Sequence, residues 1–173
     1  MKRRTFLLGG LGTGGALFLG WALLPPRQRL VARTLPDTGG KAIALNGWLT
    51  IAPDDTITVV VPKAEMGQGT HTALAMLMAE ELGCDWAKVR VEHSPIDKIY
   101  GNISVIVEGL PFAPDANGTL ARGIRWMTAK AARELGVMMT GGSSSIRDCW
   151  MPMREAGASA RTSLIAAAAA TWA

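Results

Sequence analysis

The chain has 173 residues, 49% of them hydrophobic, a formal charge of +4 and a mean hydropathy of +0.19. This fits one domain of ordinary size, or one domain plus a targeting segment, and excludes disorder for the middle of the chain. Six of the 18 basic residues (Lys2, Arg3, Arg4, Arg27, Arg29 and Arg33) precede the first acid, Asp37, leaving 12 basic against 14 acidic residues. The basic balance therefore belongs to the leader, and no basic patch with interleaved aromatics points to nucleic acid.

The leader, residues 1–26, has an export pattern. Paired Arg3 and Arg4 stand directly before Thr5, Phe6 and Leu7, and no further charge occurs until Arg27. A basic start followed by an apolar run is a signal or anchor, and the arginine pair resembles a twin-arginine signal, which exports folded proteins. The run Phe6 to Leu24 is long enough to span a bilayer, although six glycines keep it only moderately hydrophobic. Either a cleaved leader or a retained hydrophobic anchor helix is expected, with a Sec-type signal or plain anchor as the alternative. Residues 27–46 read as a linker, because Pro25, Pro26, Pro36, Gly39 and Gly40 interrupt any period.

The folded region, residues 47–173, is expected to begin near Gly47. Trp48, Ile51, Ile57, Val59, Val60 and Val61 predict two strands about a turn at Pro53, Asp54 and Asp55. Leu74, Leu77, Met78 and Leu82 recur at helical spacing, and Gly83 is a stop. A strand is expected over Trp86 to Glu92, then loops, then a helix ending at Gly136, and finally a helix starting around Pro152. The fold class is α+β, with short strands and helices mixed.

Two glycine clusters precede the helices. In the first, Met66-Gly67-Gln68-Gly69, the glycines permit close approach and the following helix N-terminus attracts anions. The third glycine of a dinucleotide fingerprint is absent, since position 72 is Thr, and no P-loop Gly-Lys-Ser/Thr follows. The Gln68 amide offers donors and an acceptor suited to a heterocycle edge. On pattern alone, a plain glycine turn with Thr70 or Thr72 as helix cap is the favoured account, and His71 reads as a satisfied polar neighbour rather than a metal ligand. The second cluster, Thr140-Gly141-Gly142-Ser143-Ser144-Ser145, is either a flexible linker or a phosphate cradle. Its shortness and its tight apolar and helical flanks favour the cradle. Cys84 and Cys149 have no metal spacing and indicate neither a zinc site nor a disulfide framework, while a single bridge between them stays open.

From about Asn46 to Ala173 these motifs resemble the molybdopterin-binding large subunit of the xanthine dehydrogenase and aldehyde oxidase family. The match is to its exported branch of isoquinoline 1-oxidoreductase beta subunits and membrane-bound aldehyde dehydrogenases. The resemblance implies part of a molybdenum-cofactor-binding domain, with Gly67, Gln68, Gly69 and Thr70 at the pterin and Gly141, Gly142, Ser143, Ser144 and Ser145 in a second cofactor-contacting loop. It implies molybdenum-molybdopterin, in the cytosine dinucleotide form of the bacterial branch, with the metal held by the pterin dithiolene and by no protein residue. It also implies oxidation of an aldehyde or N-heterocycle carbon with water as oxygen source, and electron transfer to iron-sulfur clusters of a small partner subunit. A cytochrome c subunit and the remaining part of the large subunit are further expected partners. The family's catalytic glutamate has no counterpart here; Glu65, Glu80 and Glu81 read as loop or solvated helix charges. The expectation is thus an amino-terminal portion of an exported, periplasmic or membrane-anchored enzyme, inactive alone. A membrane-anchored binding or assembly module, or a decayed fragment, is the alternative.

Overall fold

The computed structural model describes residues 3–33, 35–36 and 38–172, and of residues 5–8 only the backbone. Lys2, Asp37 and the side chains of Thr5, Phe6 and Leu7 in the export motif lie outside the described residues. The leader forms helix α1, Arg3–Leu23. Its last carbonyls would be unpaired at a helix end. Lys130 takes this role: its Nζ donates to the carbonyls of Trp21, Ala22 and Leu24 and lies 4.5 Å from the Trp21 ring centroid. Among the described residues no helix is long and apolar enough to cross a membrane. The expected anchor helix therefore finds no support; six glycines dilute the apolar content of α1.

Strands β1 (Ile43–Asn46), β2 (Leu49–Ile51) and β3 (Ile57–Val61) form an antiparallel meander. The expected turn between β2 and β3 is present, with Asp55 in the left-handed region at φ 64° and Asp54 accepting from the Thr56 N–H. Helix α2 (Thr70–Leu82) then crosses to β4 (Val89–His93), which pairs in parallel with β3. Gly83 at φ 70° ends α2 as its glycine stop predicts. Residues 86–88, expected as strand, instead form a single tight turn capped by the Asp85 carboxylate. Helices α3 (Ile103–Glu108), α4 (Thr119–Leu135) and α5 (Ser145–Trp172) complete the chain. The core lies where α2 and α5 cover the sheet, and it includes Trp48, Leu49, Val59, Val61, Leu74, Met78, Tyr100, Cys149 and Met153.

The stretch read as a linker is partly interior. Ala32 is buried, the Arg29 carbonyl accepts from Trp48 Nε1, and the Leu30 carbonyl accepts from the Gly47 N–H at 2.8 Å. The Arg29 guanidinium reaches the Ile99 and Gly101 carbonyls and the Asp148 carboxylate. Lys63, fully buried after β3, meets the same carboxylate at 3.0 Å. The backbone N–H groups of Ile103 and Ser104 complete its shell at 2.8 and 3.2 Å, which starts α3 despite a β-branched run that disfavours helix.

Helix α5 begins at Ser145, seven residues ahead of the expected start, and Pro152 lies inside it. A proline there removes the bond to the carbonyl four residues back, which is Asp148. That carbonyl accepts from Arg29 Nη1 at 3.1 Å instead, so the helix continues without an orphaned acceptor. Cys84 and Cys149 are free thiols rather than a bridge.

Two substitutions test this framework. A Cβ on Gly157 of α5 would stand 2.7 Å from the Met78 carbonyl oxygen of α2. Gly157→Ala is expected to lower stability by about 1–3 kcal/mol despite its better helix propensity, read as a lower Tm; an unchanged or higher Tm contradicts this packing. Asp148→Ala strands two buried cations and is expected to cost about 3–5 kcal/mol. Burial would raise the Asp148 carboxyl, but the Arg29 and Lys63 charges outweigh it and hold the group below the usual carboxylate range. Its contribution is then complete above its unfolded pKa of about 3.9 and is lost as pH falls through the lower folded value. Acid denaturation of Asp148→Asn should consequently lack that part of the pH dependence.

Candidate functional site

The two glycine loops meet. Lys63 leads into the first and Asp148 follows the second, so their buried ion pair fixes both to one support. The Ala64 N–H also donates to Thr140 Oγ1 at 2.8 Å, joining loop to loop. Gly67 at φ 92° and Gly69 at φ 76° require glycine, and no atom lies within 4 Å of a Cβ added at either. Their outer faces are thus open to a ligand.

Gln68 is exposed and folds over its own loop: Nε2 donates to the Ala64 carbonyl at 2.9 Å and Oε1 accepts from the Met66 N–H. A primary amide has two hydrogens and two lone pairs, so one donor and one acceptor remain for another molecule. Neither Thr70 nor Thr72 caps α2. Thr70 is buried in the first turn, and Gly69 occupies the cap position without a side-chain bond.

Glu65 fills the position expected for an anion. Its carboxylate accepts from the N–H groups of Gly67 at 2.8 Å, Gly69 at 3.0 Å and His71 at 2.9 Å. These bonds, led by the one from His71, hold its carboxyl below the usual range. Of the negative or polar occupants that the α2 N-terminus attracts, the negative place at these three amides is taken by an internal carboxylate, which leaves a polar one. His71 is a satisfied polar neighbour, with Nε2 2.7 Å from the Lys63 carbonyl oxygen and its ring edge-on to His93.

The second loop remains more open. Gly142 at φ 60° and Ser143 at φ 50° form consecutive left-handed residues ahead of α5, and both are exposed. The first N–H groups of α5, beginning at Ser145, have no carbonyl within the helix to bind. Ser144 differs from its neighbours. It is fully buried; its hydroxyl donates to the Gly141 carbonyl and accepts from Asn102 Nδ2, both at 2.7 Å. It therefore shapes the loop and does not face a ligand. The exposed Arg147 adds a cation, with Nη2 2.8 Å from Glu108 and 3.4 Å from the Gly142 and Ser143 carbonyls.

Sequence reasoning missed Lys63, Asp148 and Arg147 as organisers of this region. The available signals were a lysine at the end of a β-branched run and an acid in the first turn after a glycine-serine loop. No group of three or more His, Cys, Asp or Glu side chains suited to a metal occurs among the described residues. Burial pushes the Cys149 thiol up to about 12 and raises that of Cys84 as well, so neither presents a ready thiolate.

These residues fit a large flat polar cofactor in a specific way. The open glycine faces and the outer edge of Gln68 suit a heterocycle, while Gly142, Ser143, Ser145 and the start of α5 suit an anionic group. Residues 17–104 match the family model of the molybdopterin cofactor-binding domain. The chain is 32% identical over 167 residues to the membrane-bound aldehyde dehydrogenase [pyrroloquinoline-quinone] of Gluconacetobacter polyoxogenes, covering 95% of this chain and 17% of that protein. It is 45% identical over 62 residues to the isoquinoline 1-oxidoreductase subunit beta of Brevundimonas diminuta, covering 35% of this chain and 8% of the relative. The chain belongs to the molybdopterin cofactor-binding domain family of the xanthine dehydrogenase group. It spans less than a fifth of the length of either relative.

Removing the internal carboxylate with Glu65→Ala should leave the loop amides to water. Hydrogen exchange at Gly67, Gly69 and His71 is expected to accelerate about tenfold or more while the core amides stay protected. Unchanged exchange at all three would contradict the role assigned to Glu65.

Proposed function

We propose that the chain is the amino-terminal portion of a molybdenum hydroxylase large subunit that oxidises an aldehyde or N-heterocycle carbon with water as oxygen source. The carrying observation is the pair of glycine loops held together by the Ala64 to Thr140 bond and the Lys63–Asp148 pair. In this reading Gly67, Gly69 and the first turn at Thr70 let a pterin approach, and the outer amide edge of Gln68 binds its polar rim. Gly141, Gly142, Ser143 and Ser145 receive the phosphate end, with Ser144 holding the loop in shape. When bound, the molybdopterin supplies the redox centre.

The residues of this chain bind and orient that group. Glu65 is committed to three loop amides and Glu81 is paired with Arg154, so neither of these is free to move a proton at a substrate. The chain is therefore proposed to be inactive alone, with the catalytic base supplied by the remaining part of the large subunit. The cytosine dinucleotide form of the cofactor, a small iron-sulfur partner subunit and a cytochrome c subunit belong to the same proposal. So does export through the residue 1–26 leader to the periplasm or to the periplasmic face of the cytoplasmic membrane.

A second reading, a non-catalytic binding or assembly module, draws on one observation. The Asp148 cluster pairs its own buried charges and the Glu65 carboxylate caps the first-loop amides without a ligand, an arrangement that a module lacking the cofactor would keep. The name of the Gluconacetobacter relative also carries a different cofactor, a quinone.

The deciding experiment uses the protein produced with whatever follows Ala173 in its reading frame. Molybdenum is measured by mass spectrometry, and pterin and quinone by fluorescence after extraction. Gln68→Ala is expected to lower molybdenum content and turnover by about tenfold, the loss expected for one or two cofactor hydrogen bonds, with circular dichroism unchanged. Unchanged metal content and turnover would remove Gln68 from the site. A molybdenum-free but folded protein would favour the module, and an extracted quinone would transfer the reading to quinone chemistry.

A further inference from the structure

A cavity of about 260 Å³ opens between the segment 27–33, the turn at residues 97–99 and the end of α4. Its walls include Arg27, Arg29, Arg33, Lys98 and Arg133, with Asp97 as the single acidic lining residue. The uses of these charges are unequal. Arg29 is consumed by Asp148 and by the carbonyls of Ile99 and Gly101. Arg27 and Lys98 share one carboxylate, Glu134, at 3.2 and 3.7 Å. Asp97 spends both oxygens on backbone, accepting from the N–H groups of Arg33 at 2.9 Å and Ile99 at 3.0 Å.

Arg33 and Arg133 are left over. The Arg33 side chain has no ion pair among the described residues, and Arg133 makes one 3.3 Å bond to the Arg27 carbonyl. Arg133 Nε is buried with no acceptor at all. A buried guanidinium N–H without a partner is costly, because the water it has lost is not replaced. Burial and the neighbouring Arg29 charge disfavour the cation, while Glu155 and Asp148 compensate only in part.

We propose that this cavity binds a phosphate group, with the Arg133 fork and Arg33 as its principal donors and Arg27 and Lys98 at the edge. The donors approach from three segments, which suits a tetrahedral oxyanion that accepts in several directions; a planar carboxylate is served by a single fork. The last turn of α4 and Glu134 oppose an anion. With Arg29 paired to Asp148, the four other lining cations against Asp97 and the adjacent Glu134 leave the balance positive. The site is separate from the glycine loops and independent of their cofactor. The phosphate could be free or carried on a lipid headgroup, since Arg27 follows the end of α1 by four residues.

The test titrates the full chain with inorganic phosphate at constant ionic strength, balanced with chloride, and reads phosphorus NMR line width and thermal shift. Single-site saturation is expected, weakened about tenfold or more in both Arg133→Lys, which keeps the charge but loses the fork, and Arg33→Gln, which lies at the surface. A parallel arm uses phosphatidylcholine vesicles with and without phosphatidylglycerol. Saturation by dissolved phosphate assigns a free ligand; binding only to the anionic vesicles, lost in both variants, assigns a headgroup. Absence of binding in both arms, or binding that survives both substitutions, as it would at the Gly141–Ser145 loop, overturns the proposal.

Discussion

The Asp148 carboxylate is the point on which the rest of the structure depends. It accepts from Lys63 at the end of β3, from Arg29 in the segment before the sheet and from the first amides of α3. Three separate parts of the chain are thereby fixed to the first turn of α5. A buried ion pair is poor evidence of net stability, because desolvation offsets most of the attraction. Its consequence here is geometric. Any other arrangement of these segments would leave two cations or a carboxylate buried and unpaired, so the alternatives are penalised more than the native fold is favoured. The same Arg29 supplies the donor that Pro152 cannot, and α5 remains continuous.

The two glycine loops inherit their positions from that cluster but differ in electrostatics. The first carries its own anion: Glu65 closes over the amides ahead of α2. What it presents outward is the open face of two glycines and half of a glutamine amide. The second loop is braced from behind by Asn102 and Ser144 and turns Ser143 and the amides of α5 outward. A single ligand touching both would meet a neutral, hydrogen-bonding surface at one end and an anion-accepting surface at the other. That polarity matches a pterin ring bearing a phosphate. The family match extends through the first loop and ends before the second, so the pairing of the loops is a statement of the structure.

Helix α5 also shows how far this region depends on neighbours. Its first half is pressed against α2 so closely that Gly157 leaves no room for a side chain. Its second half carries Leu164, Ile165 and Trp172 exposed. The N-terminal half of the helix therefore belongs to the core, whereas the alanine-rich end presents apolar surface.

By itself the sequence determined the elements that rest on local rules. The α2 period with its Gly83 stop, the α4 stop at Gly136, the strand pair about Asp54 and Asp55, and the two glycine loops all follow from backbone preference and hydrophobic spacing, which act over a few residues. The motif at Met66 to Gly69 also carried the family. Tertiary structure decided the features set by partners distant in the chain. Proline chemistry pointed to Pro152 as a helix start, but a guanidinium 123 positions earlier satisfies the carbonyl that Pro152 orphans. Glu65, read as a loop or solvated charge, is the local exception: its partners lie two, four and six residues on, brought around it by the left-handed turns at Gly67 and Gly69. Arg29 read as leader charge and Ser144 as a ligand-facing hydroxyl, until burial and long-range hydrogen bonds gave each a structural role. Local propensity is legible in a string of residues; the pairing of buried charge is not, because it depends on which distant groups lose water together.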